Sequence, residues 1–148
     1  YLKELNLIPS HRLIMLDLIH RDEVPGLLDE SYDFFYNIKK VSYADNLPII
    51  FENFYFPKDL YPSLPDNLDI NQSLDEIFLS HFDQEEIKAQ LQINAIGADD
   101  FNQILFELEK GDAMFKLVFY HRFKDNDLCF HKVSYFPGNR HLIEMRAD

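Results

Sequence analysis

The stretch "KKVSYADNLPIIFENFYFP", residues 39–57, decides the fold. β-Branched and aromatic residues flank Asp45-Asn46, a pair that tolerates left-handed backbone, so the segment reads as a β-hairpin. Its strands nevertheless carry Lys40, Ser42 and Glu52, where a plain core hairpin would be apolar. A two-residue turn would put Lys40 and Glu52 on opposite faces. A three-residue bulged loop instead pairs 44 with 48, 42 with 50 and 40 with 52, and this is the register expected.

The pattern returns at a shift of 80 residues, which lays Asp125-Asn126 on Asp45-Asn46 and "YFP" at 135–137 on "YFP" at 55–57. The expectation is a pseudo-symmetric domain that uses hairpin and helix twice. With the same loop, the second hairpin pairs 124 with 128, 122 with 130 and 120 with 132. The even-numbered face then carries Lys40, Ser42, Glu52, Tyr120, Arg122, Lys132 and Ser134. The odd-numbered face of the second hairpin, with Leu117, Phe119, Phe123, Val133 and Tyr135, reads as core.

Working outward, β-rich runs lie at 11–20, 33–44, 47–56, 87–97, 115–124 and 128–137, six candidate strands. "NQSLDEIFLSHF" has helical spacing, with Ser73 and Glu76 as a capping box. "DDFNQILFELEKG" is a second helix, with Asp100 and Gln103 as start signal and Gly111 as stop. "PKDLYPSLPDN", with prolines at 57, 62 and 65, is a loop between the first hairpin and the first helix.

Composition narrows the function classes. The 148 residues suit one domain, and 14 Phe and 8 Tyr supply an ample core. A formal net charge of −12 with no basic run makes this chain alone a poor binder of DNA or RNA. Cys129 is the one cysteine, so no internal disulfide forms. "LIMLDLI" near the start is broken by Asp17, and a cytosolic chain without membrane contact is expected.

Catalytic signatures are missing: there is no G-x-S-x-G, no phosphate-cradling glycine loop and no H-E-x-x-H. The bulged register sets His121 across from His131 with Cys129 on the same face, a constellation able to bind a metal. It lacks a fourth ligand at diagnostic spacing, packed histidines are the plainer reading, and no metal or cofactor is expected. Lys40 opposite Glu52 is readable as an ordinary cross-strand ion pair. Ser73 is readable as an N-cap, or as a hydroxyl offered to an anion at a helix start.

The order of these elements resembles the UTRA domain, the effector-binding half of GntR-type transcriptional regulators of the HutC subfamily. "ADNLP" is similar to that family's A-D-G-x-P turn, Glu52 to its E-x-x-Y/F element and "YFPGNRH" to its Y-x-G-D-R ending. The resemblance runs from "NLIPSHRL" onward. It implies an α+β, chorismate-lyase-like fold with a six-stranded antiparallel sheet and flanking helices, a homodimer, and a small-molecule pocket beside the sheet. It also implies a cytoplasmic bacterial regulator whose DNA-binding winged helix-turn-helix precedes this chain and is absent from it.

Carried across by position, the family's anion-holding R-x-R pair falls on Lys40 and Ser42, and its glutamate on Glu52. Its Ser-x-Tyr at the helix start falls on Ser73 and Asp75, a further acidic position on Phe130, and an aromatic on Phe136. The implied effector is a phosphosugar or another anionic metabolite. The parity count puts Arg122 and Lys132 on the same face, so the second hairpin would supply positive charge, and Arg122 is added to the set. The ligand-binding set expected is therefore Lys40, Ser42, Glu52, Ser73, Asp75, Arg122 and Phe136. Two rival readings are a chorismate-lyase-like enzyme on the same fold and a plain dimerisation module.

Overall fold

In the computed structural model, which describes residues 7–27 and 30–140, six strands form one antiparallel sheet. The strands are β1 (Pro9–His20), β2 (Phe34–Ala44), β3 (Leu47–Pro57), β4 (Ile87–Gly97), β5 (Ala113–Phe123) and β6 (Leu128–Pro137), in the order β1-β2-β3-β6-β5-β4. The helices are α1 (Leu64–Asn67), α2 (Leu74–Leu79) and α3 (Asp100–Phe106). Each of the six expected strands is present. α1 is a single turn, started by Pro65, inside the segment expected to be loop.

The sheet is built from two strand triplets joined at their third strands. β3 and β6 run antiparallel at the centre, with Phe51 across from Tyr135 and Tyr55 across from His131. The 80-residue echo is thus a repeat of strands. The helices do not share it, because α2 follows the first hairpin whereas α3 precedes the second.

Both hairpins depart from the expected loop. Asp45 and Asn46, with φ of 48° and 68°, form a two-residue turn that pairs Ala44 with Leu47 rather than 44 with 48. Ile49 then bulges out, which restores Ser42 to Ile50 and Lys40 to Glu52 as expected. In the second hairpin Arg122 pairs with Leu128 and His121 with Phe130, leaving Cys129 as the bulge. From there Tyr120 faces His131 and Phe119 faces Lys132. Leu128 is thus two residues from its expected partner, and beyond the bulge each partner is off by one, a slip that moves a side chain to the other face. Leu117 and Phe119 therefore share the Lys132 face, while Tyr120 and Arg122 lie on the opposite one.

The expected division into a polar and an apolar face also fails, because both faces are packed. On the Lys40 face, Ile38, Phe54, Phe56 and Phe130 bury against Tyr61, Leu64, Leu74 and Phe78 from the α1–α2 segment. On the other face Val41, Phe51 and Met114 pack against Phe106 of α3, and Phe35, Tyr55 and Leu128 against Val24. A sheet covered on both sides contributes two cores, at about 25 cal/mol for each Å² of apolar surface removed from water. Among the described residues no helix is long and apolar enough to cross a membrane.

Candidate functional site

The charged residues of the opening hairpin sit inside the first of these cores. The Ile49 bulge keeps Lys40 and Glu52 paired, and the central β3–β6 ladder sets Ser134 across from Glu52 and Lys132 across from Phe54. Side chains of paired residues share a face, so Lys40, Ser42, Glu52, Lys132 and Ser134 are brought together. Lys40 is 3% exposed and Lys132 7%. Two buried ammonium groups require polar partners, since desolvating an unpaired charge is costly.

The start of α2 supplies those partners. Lys132 Nζ lies 2.5 Å from Asp75 Oδ2 and 3.5 Å from Glu52 Oε2, while Lys40 Nζ donates to the Gln72 carbonyl at 3.2 Å. Lys132 also rests over the Phe119 ring, 4.4 Å from its centroid. Ser73 caps α2 as expected, its Oγ accepting from Glu76 N–H. That cap fixes the first turn, which holds Asp75 above the sheet.

Burial and charge pull against each other here. Burial pushes the Glu52 carboxyl up, against the pull of Lys132. It pushes the Lys40 ammonium down, with Glu52 and Asp75 opposing. His11, on the neighbouring edge strand, shares a 2.8 Å hydrogen bond with Ser42 Oγ and is held below the usual imidazole range by burial and by Lys40. His121 stacks on Phe130 at 4.2 Å, and burial holds its imidazole below the usual range, with Asp75 opposing. Its Nδ1 is buried with no hydrogen-bond partner among the described residues.

Of the expected set, Lys40, Ser42, Glu52 and Asp75 converge. Ser73 sits beside them, but its hydroxyl is committed to the cap and the residue is exposed. Phe136 lies further along the same face of β6, half-buried and paired with Phe115. Arg122 is not part of the cluster. It lies on the opposite face, over the Tyr120 ring at 5.3 Å, so of the two cations expected on this face from the second hairpin only Lys132 joins the cluster. The metal constellation fails for the same reason, because the Cys129 bulge puts His121 and His131 on opposite faces. Among the described residues no group of three or more His, Cys, Asp or Glu is placed to hold a metal.

Sequence reading missed His11 and set His121 opposite His131 rather than on the Lys132 face. Their signals were weak: His11 is an isolated polar residue at the start of an edge strand, and the face of His121 depends on a bulge in its partner. A separate cleft of about 490 Å³ opens between α1 and α2, lined by Tyr61, Asn67, Phe78 and His81 among others, and includes none of the expected residues.

The cluster presents two ammoniums and two carboxylates under a short helix, suited to holding a small polar molecule. The UTRA domain family model matches residues 32–141. PhnF from Mycobacterium smegmatis has the same fold at a TM-score of 0.79 and 20% identity, covering 99% of this chain and 66% of that one. This chain thus spans about two thirds of that protein's length. The effector domain of PhnF matches at 0.74 and 20% identity, over 98% of this chain and 91% of that one. The C-terminal domain of the histidine utilization repressor from Pseudomonas syringae pv. tomato str. DC3000 matches at 0.79 and 14% identity, over 95% and 99%. No curated protein matches the sequence. The α+β, chorismate-lyase-like sheet with flanking helices is the architecture expected.

Proposed function

The chain belongs to the UTRA domain family, and from that premise we propose that it is the effector-sensing and dimerisation domain of a bacterial transcriptional regulator of the GntR family, HutC subfamily. The observation that carries this reading is the cluster beneath α2 of buried Lys40 and Lys132 with the half-buried Glu52 and Asp75. A stability-driven core would be apolar at these positions, because burying ion pairs rarely improves on well-packed hydrophobic residues.

The domain acts without catalysis. A small molecule that reaches Lys40 and Lys132 competes with the contacts that Gln72 and Asp75 make, and so favours one arrangement of α2 over another. In a homodimer this preference is passed to an attached winged helix-turn-helix, which contacts the operator in the cytoplasm. The net charge of −12 supports leaving phosphate contact to that second module.

The test uses the full gene product that contains this chain. Its affinity for the DNA upstream of its own gene is measured by fluorescence anisotropy, with and without the small-metabolite fraction of the host. A shift of about tenfold, equivalent to about 1.4 kcal/mol of coupling, is expected, and Lys40→Met is expected to abolish it. A DNA affinity that no metabolite fraction alters overturns the reading.

A further inference from the structure

We propose that the ligand of this site is a small zwitterion of the α-amino-acid class, its carboxylate received by Lys40 and its ammonium by Glu52 and Asp75, rather than a phosphate dianion. The inference rests on the effector-sensing reading and adds the chemical class. Charge balance is the first argument. Lys132 is already matched by Asp75 at 2.5 Å and Glu52 at 3.5 Å. Lys40 donates to the backbone carbonyl of Gln72, a neutral acceptor that a carboxylate outcompetes. A zwitterion leaves the charge of the buried site unchanged. A dianion adds two negative charges to a site that holds Glu52 and Asp75, within a chain of net charge −12.

Donor geometry is the second argument. Planar bidentate recognition of phosphate falls to arginine, and no described arginine serves this face. Arg122 lies over Tyr120 on the far side, Arg140 is held by the carbonyls of Pro48 and Phe106, Arg21 is paired with Asp33, and Arg12 is registered with Val41. The wall does accept cations, since Lys132 rests over the rings of Phe119 and Phe54.

An independent observation is His121, 8% exposed, with its Nδ1 buried and without a partner among the described residues. It lies on the Lys132 face, near enough for Asp75 and Lys132 to influence its charge. A buried polar nitrogen is almost always satisfied in a working protein, so His121 Nδ1 is a polar atom on this face open to a further partner.

The experiment is a thermal-shift series on the chain with each L-amino acid, the matching amines that lack the carboxylate, inorganic phosphate and glucose 6-phosphate, followed by calorimetry on any hit. At least one amino acid is expected to raise Tm by about 3 °C or more, with no shift from its amine or from either phosphate. Lys40→Met and His121→Phe are each expected to weaken that Kd by about tenfold or more. His121→Phe keeps the ring on Phe130, so the test stands even if Lys40→Met fails to fold. Stabilisation by a phosphate and by no amino acid overturns the ligand class and leaves effector sensing intact. An amino-acid Kd indifferent to both substitutions overturns the assignment to this site. Silence from every probe overturns the ligand class, while effector sensing stands or falls by the DNA-affinity experiment with the whole metabolite fraction.

Discussion

His131 is enclosed between the rings of Tyr120 and Tyr55, with centroids at 4.4 Å and 5.4 Å, and its Nδ1 is 3.0 Å from the Phe119 carbonyl. The neutral ring donates that bond, and burial holds the imidazole below its usual range with the carbonyl opposing. The unfolded chain therefore takes up the proton first as pH falls below about 6.5, so His131 contributes stability that is present above that pH and lost beneath it. His11 and His121 shift in the same direction. Glu52, pushed up by burial, has the opposite sign: its contribution is full below the unfolded carboxylate value and fades as pH rises. A comparison with His131→Phe isolates the histidine. In urea unfolding at about pH 7.5 the variant is expected to be less stable by about 1–3 kcal/mol, because the Phe119 carbonyl loses its donor. At about pH 5.5 the gap is expected to narrow, and a gap that stays constant or widens refutes the linkage. At this scale the residue types were legible and their neighbours were not. Lys40 and Glu52 were placed correctly from parity on one hairpin. Arg122 was misplaced because parity on the other hairpin is reset by one residue, Cys129.

The helices show what caps reveal and where they stop. α2 begins where Ser73 and Glu76 said it would, since an N-cap is a bond between residues three apart and is written locally. α3 begins one residue earlier than expected, with Asp99 as the cap accepting from Asn102 N–H at 2.8 Å. It also ends well before Gly111. Glu107 turns left-handed with φ of 56°, and Leu108 N–H reaches back to the Gln103 carbonyl at 2.9 Å. A glutamate in that conformation is strained, and only tertiary packing of Phe106 and Leu108 against the sheet explains why the chain turns there. Glu107 is exposed, so Glu107→Gly is expected to stabilise the fold by about 0.5–1 kcal/mol. Differential scanning calorimetry would register this as a rise in Tm of about 2–6 °C. An unchanged or lower Tm refutes the strain.

At the scale of the whole molecule, two strand triplets meet at β3 and β6, and their bulges, Ile49 and Cys129, stand 80 residues apart. The repeat in strands and bulges was visible in the sequence as a few shared residues, while the placing of helices on opposite faces was not. A net charge of −12 opposes the approach of a phosphate backbone. In a gel-shift experiment the chain alone is expected to leave a DNA fragment unretarded even at about 50 mM salt, where electrostatic binding is strongest. Retention that weakens with added salt would show a basic surface that the composition denies.

What the sequence determined by itself is what short-range chemistry encodes: six strands from alternation, the positions of the turns from Asp-Asn pairs, the α2 cap, and an acidic charge. Which residues converge was decided only by the tertiary structure. Facing depends on bulges, and a bulge forms where one strand fits its partner better with a residue left out. That balance involves both strands and the layers on either side. Lys132 therefore reaches the expected face without Arg122, His121 reaches it through the Cys129 bulge, and His11 comes from an edge strand that carried no local sign of it.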